Sequence, residues 1–540
     1  MRRGRLDRLL ARTHSIRRPI LQRASVVERE WREASDMRPS VFLLAVILAL
    51  AALLRFVGIG AGIPFNVGVD EPEIMSRVVQ MMRTGDFNPH FFDYPGLYFY
   101  LQLAVAIPRF LIGATLGHWT ALDQVDAGDF YLWGRAVTAL LGTLTVLLVY
   151  RIGMRWGARH AALAAGLMTV MPLHVRESHY VLTDVPVTFF VTLALLLTLV
   201  AHERERAASF AWAGAAAGLA AATKYPGALA IVMPLIGVWM TLGTKPSRLV
   251  ASLAVVGGAL AAFLIAAPYT ILDLPGFLNG YAHLASAYTP KQLGEAPWLT
   301  YFKHLSRSMG WPAFLLLLTG LGLGAVRAVR GPGRVRWTVT IAFPLIYYYF
   351  LSGQTLVFGR YLLPLVPTVC VLAAVGAVSG VSLLRRFDIP RAPRTAVIAA
   401  ITAAALLPPA WQSLNFVRTM VRTSTVAQAH SWILSNIPQG SSIVIETQGL
   451  LLPKRSYNAK NVPRLVLDSR APADHDAYVK AGIDYIVASS QKYGDALSRP
   501  QEFPDLFDAY SRLFAQSQEV GRFAPNAEHP GPEIRVFRLR

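Results

Sequence analysis

Cysteine is nearly absent from this chain: 540 residues contain a single one, Cys370, inside an apolar run, so no intrachain disulfide can form. Redox compartment is therefore not readable from the sequence. Charge is scarce as well, at 16% of residues against 54% hydrophobic, a balance that excludes an ordinary water-soluble domain and describes a chain largely solvated by lipid. Acidic residues are few, 32 against 52 Lys and Arg, for a net charge of +20. The cations concentrate in short segments between apolar runs, where the positive-inside rule places cytoplasmic loops, so topology and not nucleic acid explains the charge. No internal repeat or low-complexity array is present.

What is abundant is long apolar segments. The first, Val41 to Ile59, is interrupted only by Arg55 and suffices at ~1.5 Å per residue to cross a hydrocarbon core of ~30 Å. It follows a basic tail, Met1 to Arg38, and reads as a signal anchor with the N-terminus inside. With the basic segments inside, further crossings are expected at Tyr131 to Tyr150, His160 to Leu173, Val185 to Ala201, Ala207 to Thr223 and Pro226 to Leu242. Leu249 to Pro268, Pro312 to Val329, Trp337 to Leu351, Tyr361 to Leu384 and Ala396 to Trp411 complete eleven. Gly96 to Gly117 is apolar enough to span, but counting it would reverse every later loop; with Pro108 and Arg109 in its middle, it is expected as an interfacial or re-entrant element, with a buried broken helix as the other possibility.

The expected architecture is a polytopic α-helical membrane protein of about 11 to 13 spans with a small extracytoplasmic α/β domain. Residues 1–38 form the tail, 39–411 the membrane module with a first outer loop at 60–130, and 412–540 the external domain. In that domain a helix is expected at Val426 to Asn436 and another at Asp505 to Gln516. Strands are expected at Ser442 to Glu446, Arg464 to Leu467, Asp484 to Ser489 and Glu533 to Leu539. It contains no P-loop, no GxGxxG and no Cys/His metal spacing, so a structural or acceptor-binding role is expected.

Chemistry is then sought at the outer membrane face, in NVGVDEPEIMSRVVQMMRTGDFNPHFFDYPGLYFYL. Asp70 and Glu71 precede Pro72 at a helix start, where acids also serve simply as N-terminal caps. Asp184 opens an apolar helix in HYVLTDVPVTFF; it too can be a cap, but an acid at membrane depth beside a cavity is a functional candidate. Lys224 in TKYPG and Arg360 in FGRYLLP, with Arg176 third, are candidates for holding a phosphate, Arg bidentately and Lys as a point charge; the alternative is snorkelling to headgroups. Asp93, Tyr94, Tyr98, Tyr225 and Tyr361 are candidates for a substrate groove, although interfacial tyrosine belts are common. A divalent metal is conceivable, Mg²⁺ or Mn²⁺ on Asp70, Glu71, Asp93 and Asp184 or Zn²⁺ on His90, His174 and His179, but no spacing demands one.

LLRFVGIGAG followed by VDEPE, then YPGLYFYL, RAVTALLGTLTVLLVYRIGMRWG, TDVPVTFFVTLALLL, AATKYPGALAIV and GRYLLPLVP resemble the GT-C superfamily of polyprenyl-phosphate-sugar-dependent glycosyltransferases. The chain is most similar to the bacterial family related to protein O-mannosyltransferases and to the aminoarabinose transferase of lipid A, over roughly Phe42 to Pro367. The resemblance implies the GT-C fold in a multi-pass plasma (inner) membrane, an extracytoplasmic active site, a polyprenyl-phosphate sugar donor and an extracytoplasmic acceptor: a protein, a glycolipid or a cell-wall glycan. It also implies a first-loop acid as catalytic base, matched by Asp70 and Glu71 with Asp70 preferred, and a second-loop acid that orients the acceptor or lies beside a metal, matched by Asp184. A phosphate-linked sugar leaves without a strong general acid, so the task for the protein is to activate the acceptor hydroxyl; a carboxylate doing so opposite the leaving group gives inversion. The rival reading is a transporter or lipid flippase, against which stand the lack of paired halves and the gathering of ionisable groups at outer helix ends.

Overall fold

The eleven apolar segments are largely helical in the computed structural model, which describes residues 41–63, 68, 70–287, 296–331, 333–384, 391–447, 450–453, 456–468, 472 and 474–540; His160 to Leu173 is divided between two helices at Val170 and Met171, and Pro226 to Leu242 and Tyr361 to Leu384 begin as 3₁₀ turns. The basic tail lies outside the described residues. The helices are α1 (Val41–Phe56), α2 (Glu71–Thr84), α3 (Leu97–Thr115), α4 (Tyr131–Gly153), α5 (Ala158–Thr169), α6 (Pro172–Glu177), α7 (Asp184–Arg204), α8 (Ala207–Thr223), α9 (Val232–Thr241) and α10 (Lys245–Ala266). They continue as α11 (Tyr269–Leu272), α12 (Leu274–Ala287), α13 (Pro297–Met309), α14 (Trp311–Arg330), α15 (Arg334–Ser352), α16 (Val366–Leu384) and α17 (Arg391–Met420). Seven helical stretches of the described residues are long and apolar enough to cross a membrane, and α1, α8 and Tyr225–Thr241 are shorter apolar ones.

Gly96 to Gly117 is not broken at Pro108. It is α3, a continuous helix of 19 residues through Pro108, long and apolar enough to span, and it packs against α2, α4 and α8. A proline inside an apolar helix removes one backbone bond without breaking the rod where neighbouring helices surround it.

Small residues set the closest helix contacts. A Cβ on Gly214 or Gly218 of α8 would overlap the carbonyl oxygen of Val255 or Ala259 on α10, and Gly320 and Gly376 bring α14 and α16 together in the same way. Helices in an apolar solvent gain little from burying apolar surface, so backbone approach through glycine supplies the dispersion contact instead. Arg55, in the first apolar segment, is fully buried; its guanidinium donates to the carbonyls of Met168 and Thr169 and so caps the C-terminus of α5. It also lies 3.1 Å from His174 Nδ1, which pins the α5–α6 corner.

Beyond α17 the chain forms α18 (Thr425–Asn436), β1 (Ser442–Ile445), β2 (Asn458–Asn461), α19 (His475–Lys480), β3 (Tyr485–Ser489), α20 (Ser490–Ser498), α21 (Pro504–Gln516), β4 (Gln518–Phe523) and β5 (Ile534–Arg538). The sheet order is β2-β1-β3-β5-β4; β2, β1 and β3 are parallel, and β5 and β4 are antiparallel additions. The strand expected at Arg464 to Leu467 is a loop instead, and the strand is the polar Asn458–Asn461 before it. Leu465 and Val466 are apolar because that loop is buried, with the Leu465 amide bonded to Glu446. Burial raises the Glu446 pKa above the ordinary carboxylate value, opposed by bonds from Tyr510, Leu465 and Ser489.

Candidate active site at converging helix ends

Four chain segments converge on one charged cluster. The start of α2 brings Asp70, the start of α7 brings Asp184, the end of α8 brings Lys224, and the 3₁₀ turn Gly359–Leu365 brings Arg360. Asp70 occupies the cap position of α2, yet its side chain makes no capping hydrogen bond. Its Oδ2 lies 2.9 Å from an Arg360 terminal nitrogen and accepts at 3.4 Å from the Tyr94 hydroxyl. Asp184 is almost fully buried and accepts from Lys224 Nζ at 2.6 Å, while its second oxygen stands 3.8 Å from Arg360 Nε. Lys224 Nζ is 4.4 Å from the centre of the Tyr361 ring, a cation–π contact. The quartet alternates in sign and sums to zero.

Glu71, one residue on, is differently placed. It is fully buried and accepts from Arg135 Nε and a terminal nitrogen, both at 2.7 Å, from the Gly68 amide at 2.6 Å and from the Val181 amide at 2.8 Å. Arg135, also fully buried, spends its other terminal nitrogen on the carbonyls of Ile59 and Ala61. Every donor around Glu71 comes from the protein, so it ties the start of α2 to α4, the turn after α1 and the segment before α7. The geometry engages this carboxylate in anchoring contacts, whereas the neighbouring Asp70 side chain is about one-fifth exposed.

The remaining candidates divide. Tyr94 and Tyr361 are in the cluster. Tyr98 is in the core beneath it, its hydroxyl 2.7 Å from Thr138 Oγ1, and no groove reaches it. Tyr225 donates to the Phe92 carbonyl at 2.8 Å and meets the edge of Tyr281. Asp93 lines a separate cavity of about 370 Å³ with His90, Asp273 and His283; burial raises its pKa above the ordinary carboxylate value. Arg176, half-exposed, is paired with the buried Glu177 at 2.7 Å through Nε. Burial pushes the Glu177 pKa up, against the pull of Arg176.

The metal expectation can be tested on the donor set. Asp70 and Asp184 are each engaged by a cation, Glu71 is saturated, His174 faces Arg55 and His179 bonds the carbonyls of Val175 and Val57. Among the described residues no three His, Cys, Asp or Glu groups gather as metal ligands. These residues do not fit a divalent ion, and no step is routed through one.

A cleft of about 1310 Å³ opens beside the cluster. Its membrane side carries Arg360, Arg176, Glu177 and the Gly58 to Ile63 turn, and its other side carries Arg422, Ser424, His430 and Leu434 from the end of α17 and from α18. Sequence reasoning missed Arg135, Arg422 and His430. The signal for Arg135 was an arginine in the first turns of an apolar helix, which must find a buried acid.

Solved structures with the same architecture include the apo oligosaccharyltransferase of Archaeoglobus fulgidus, with a TM-score of 0.54 and 13% identity over 83% of this chain and 69% of that one. ArnT of Cupriavidus metallidurans bound to undecaprenyl phosphate matches with a TM-score of 0.52 and 16% identity over 93% of this chain and 98% of its own. AglB of Archaeoglobus fulgidus in complex with an inhibitory peptide and a dolichol-phosphate gives 0.53 and 12%, over 91% and 74%. The fold is that of these GT-C membrane enzymes. Residues 112–280 match the family model of the dolichyl-phosphate-mannose-protein mannosyltransferases. No curated protein matches the chain significantly.

Proposed function

We propose that this chain transfers a sugar from a polyprenyl-phosphate-linked donor to an extracytoplasmic acceptor, with Asp70 as general base. The observation that carries this reading is the division of labour at the start of α2. Glu71 is saturated by protein donors, while Asp70 is about one-fifth exposed and paired with Arg360, which lines a large cleft. Lys224 and Arg360 supply the positive charge that a departing polyprenyl phosphate needs, and Asp184 fixes the Lys224 ammonium against the Tyr361 ring. An acceptor hydroxyl entering through the cleft and reaching Asp70 gives up its proton as its oxygen attacks C1 from the face opposite the phosphate, so the anomeric configuration inverts.

The lipid donor is supported by two matched structures, one bound to undecaprenyl phosphate and one to a dolichol-phosphate. The acceptor side is assigned to the cleft, which makes the residues after Trp411 an acceptor-holding domain on the outer face, with the N-terminus inside. A transporter or flippase gains no comparable support, since the matched family is enzymatic. Purified protein supplied with a radiolabelled polyprenyl-phosphate sugar and an acceptor extract is expected to yield labelled product of inverted configuration. Retention would overturn the single displacement, and transfer from a nucleotide sugar alone would overturn the donor.

A further inference from the structure

We propose that Arg360 is a donor-operated latch on Asp70: in the empty site it neutralises the base, and the donor phosphate draws it away. The inference rests on the donor reading above. Two acids and two cations already compensate one another, so a phosphodiester monoanion enters a cluster with no charge to spare. One cation must exchange its partner. Lys224 is the firmer of the two, held at 2.6 Å by a carboxylate only 4% exposed and capped by the Tyr361 ring. Arg360 is divided. One terminal nitrogen meets Asp70 at 2.9 Å, but its Nε, 3.8 Å from Asp184, is buried without a hydrogen-bond partner among the described residues.

A guanidinium offers two parallel N–H groups, and a phosphate with two free oxygens accepts both. Asp70 takes only a terminal nitrogen, whereas a phosphate can take that nitrogen together with the orphaned Nε. Phosphate is thus the better ligand, and Arg360, which lines the cleft, is placed to receive it. A carboxylate oxygen engaged by a guanidinium is not free to meet an incoming hydroxyl. When Arg360 turns to phosphate, Asp70 keeps, among the described residues, the long contact from Tyr94, and its Oδ2 is released for an acceptor hydroxyl. Acceptor activation therefore waits for the donor, which sets the order of binding. The coupling is reciprocal, so removing the Asp70 charge must favour the phosphate.

The test is binding of a short-chain polyprenyl phosphate in detergent to the full chain and five variants, with melting curves confirming the fold. Asp70→Asn is expected to tighten binding about fivefold, the scale of a partly exposed ion pair that no longer competes. Arg360→Gln is expected to weaken it, and Asp70→Asn added to Arg360→Gln is expected to change nothing further. Arg360→Met, alone and with Asp70→Asn, serves the same comparison if the glutamine variants fail to fold. Simple repulsion between Asp70 and phosphate predicts tightening with and without Arg360, and that result overturns the latch while leaving the donor reading intact. Unchanged affinity in Asp70→Asn overturns it as well. Absence of binding to the unaltered protein overturns the donor reading and the latch together.

Discussion

Replacing Glu71 by Gln keeps the shape of the side chain and removes its charge, which isolates the anchoring role from any chemical one. The carboxylate accepts four hydrogen bonds, two of them from a fully buried Arg135. Glutamine has one acceptor oxygen, and its NH₂ would face a donor whichever way it is turned. Hydrogen bonds to charged groups are worth roughly 1.5 to 3 kcal/mol each and are not additive, and breaking a buried pair from one side costs about 3 to 5 kcal/mol. We take about 3 to 5 kcal/mol as the expected loss for Glu71→Gln. Asp70→Asn disturbs a pair that is about one-fifth exposed on both sides, for which roughly 0 to 1 kcal/mol is the expected scale. The assay is thermal unfolding of detergent-solubilised protein, with the unaltered chain and both variants side by side. Glu71→Gln should melt clearly lower or fail to accumulate, and Glu71→Gln with Arg135→Gln should recover part of the loss. A Glu71→Gln protein that melts like the unaltered chain yet has lost activity would refute the argument and make Glu71 the chemical group.

Three further perturbations have defined outcomes. Gly218→Val forces a side chain against the Ala259 backbone and should cost about 1 to 3 kcal/mol through separation of α8 from α10, read as a lower melting temperature; an unchanged melt contradicts the close contact. Lys224→Met should weaken donor binding and also destabilise by leaving the buried Asp184 carboxylate alone; adding Asp184→Asn should return stability without returning affinity, and recovery of both would remove Lys224 from the phosphate site. Burial lowers the His430 pKa below its ordinary 6.5, so the folded chain stays neutral there while the unfolded chain takes a proton as pH falls through that value. Stability attributable to this residue is therefore lost on acidification, and the melting difference between the unaltered chain and His430→Asn should shift in favour of the variant from pH 7.5 to 5.5; a difference independent of pH contradicts it.

The membrane helices were legible because crossing a bilayer imposes a length and a composition that few other structures satisfy. The charged quartet was legible for a related reason: Asp70, Asp184, Lys224 and Arg360 stand at helix ends, where a charge is affordable only beside water, a headgroup or a partner. What the sequence does not carry is direction. Asp70 and Glu71 are neighbours, and the positions of Arg135 on α4 and of the Gly68 and Val181 amides decide which of them is turned inward. Tyr94 and Tyr98 lie four residues apart in the same aromatic run, yet one reaches Asp70 and the other Thr138. Short apolar runs misled for the opposite reason: Leu465 and Val466 are apolar because that part of a loop is buried, while β2 is polar because it lies at the sheet edge. Pro108 argued for a break in a helix that stays continuous.

The central claim is that Asp70 activates an acceptor for transfer from a lipid-phosphate sugar. The direct measurement is the rate of label transfer from a polyprenyl-phosphate sugar to membrane acceptors, for the unaltered chain and Asp70→Asn at matched amounts of folded protein. Removal of a general base predicts a fall of about 10²- to 10⁴-fold with donor binding retained. Transfer at an undiminished rate in Asp70→Asn would contradict the account and place the base elsewhere.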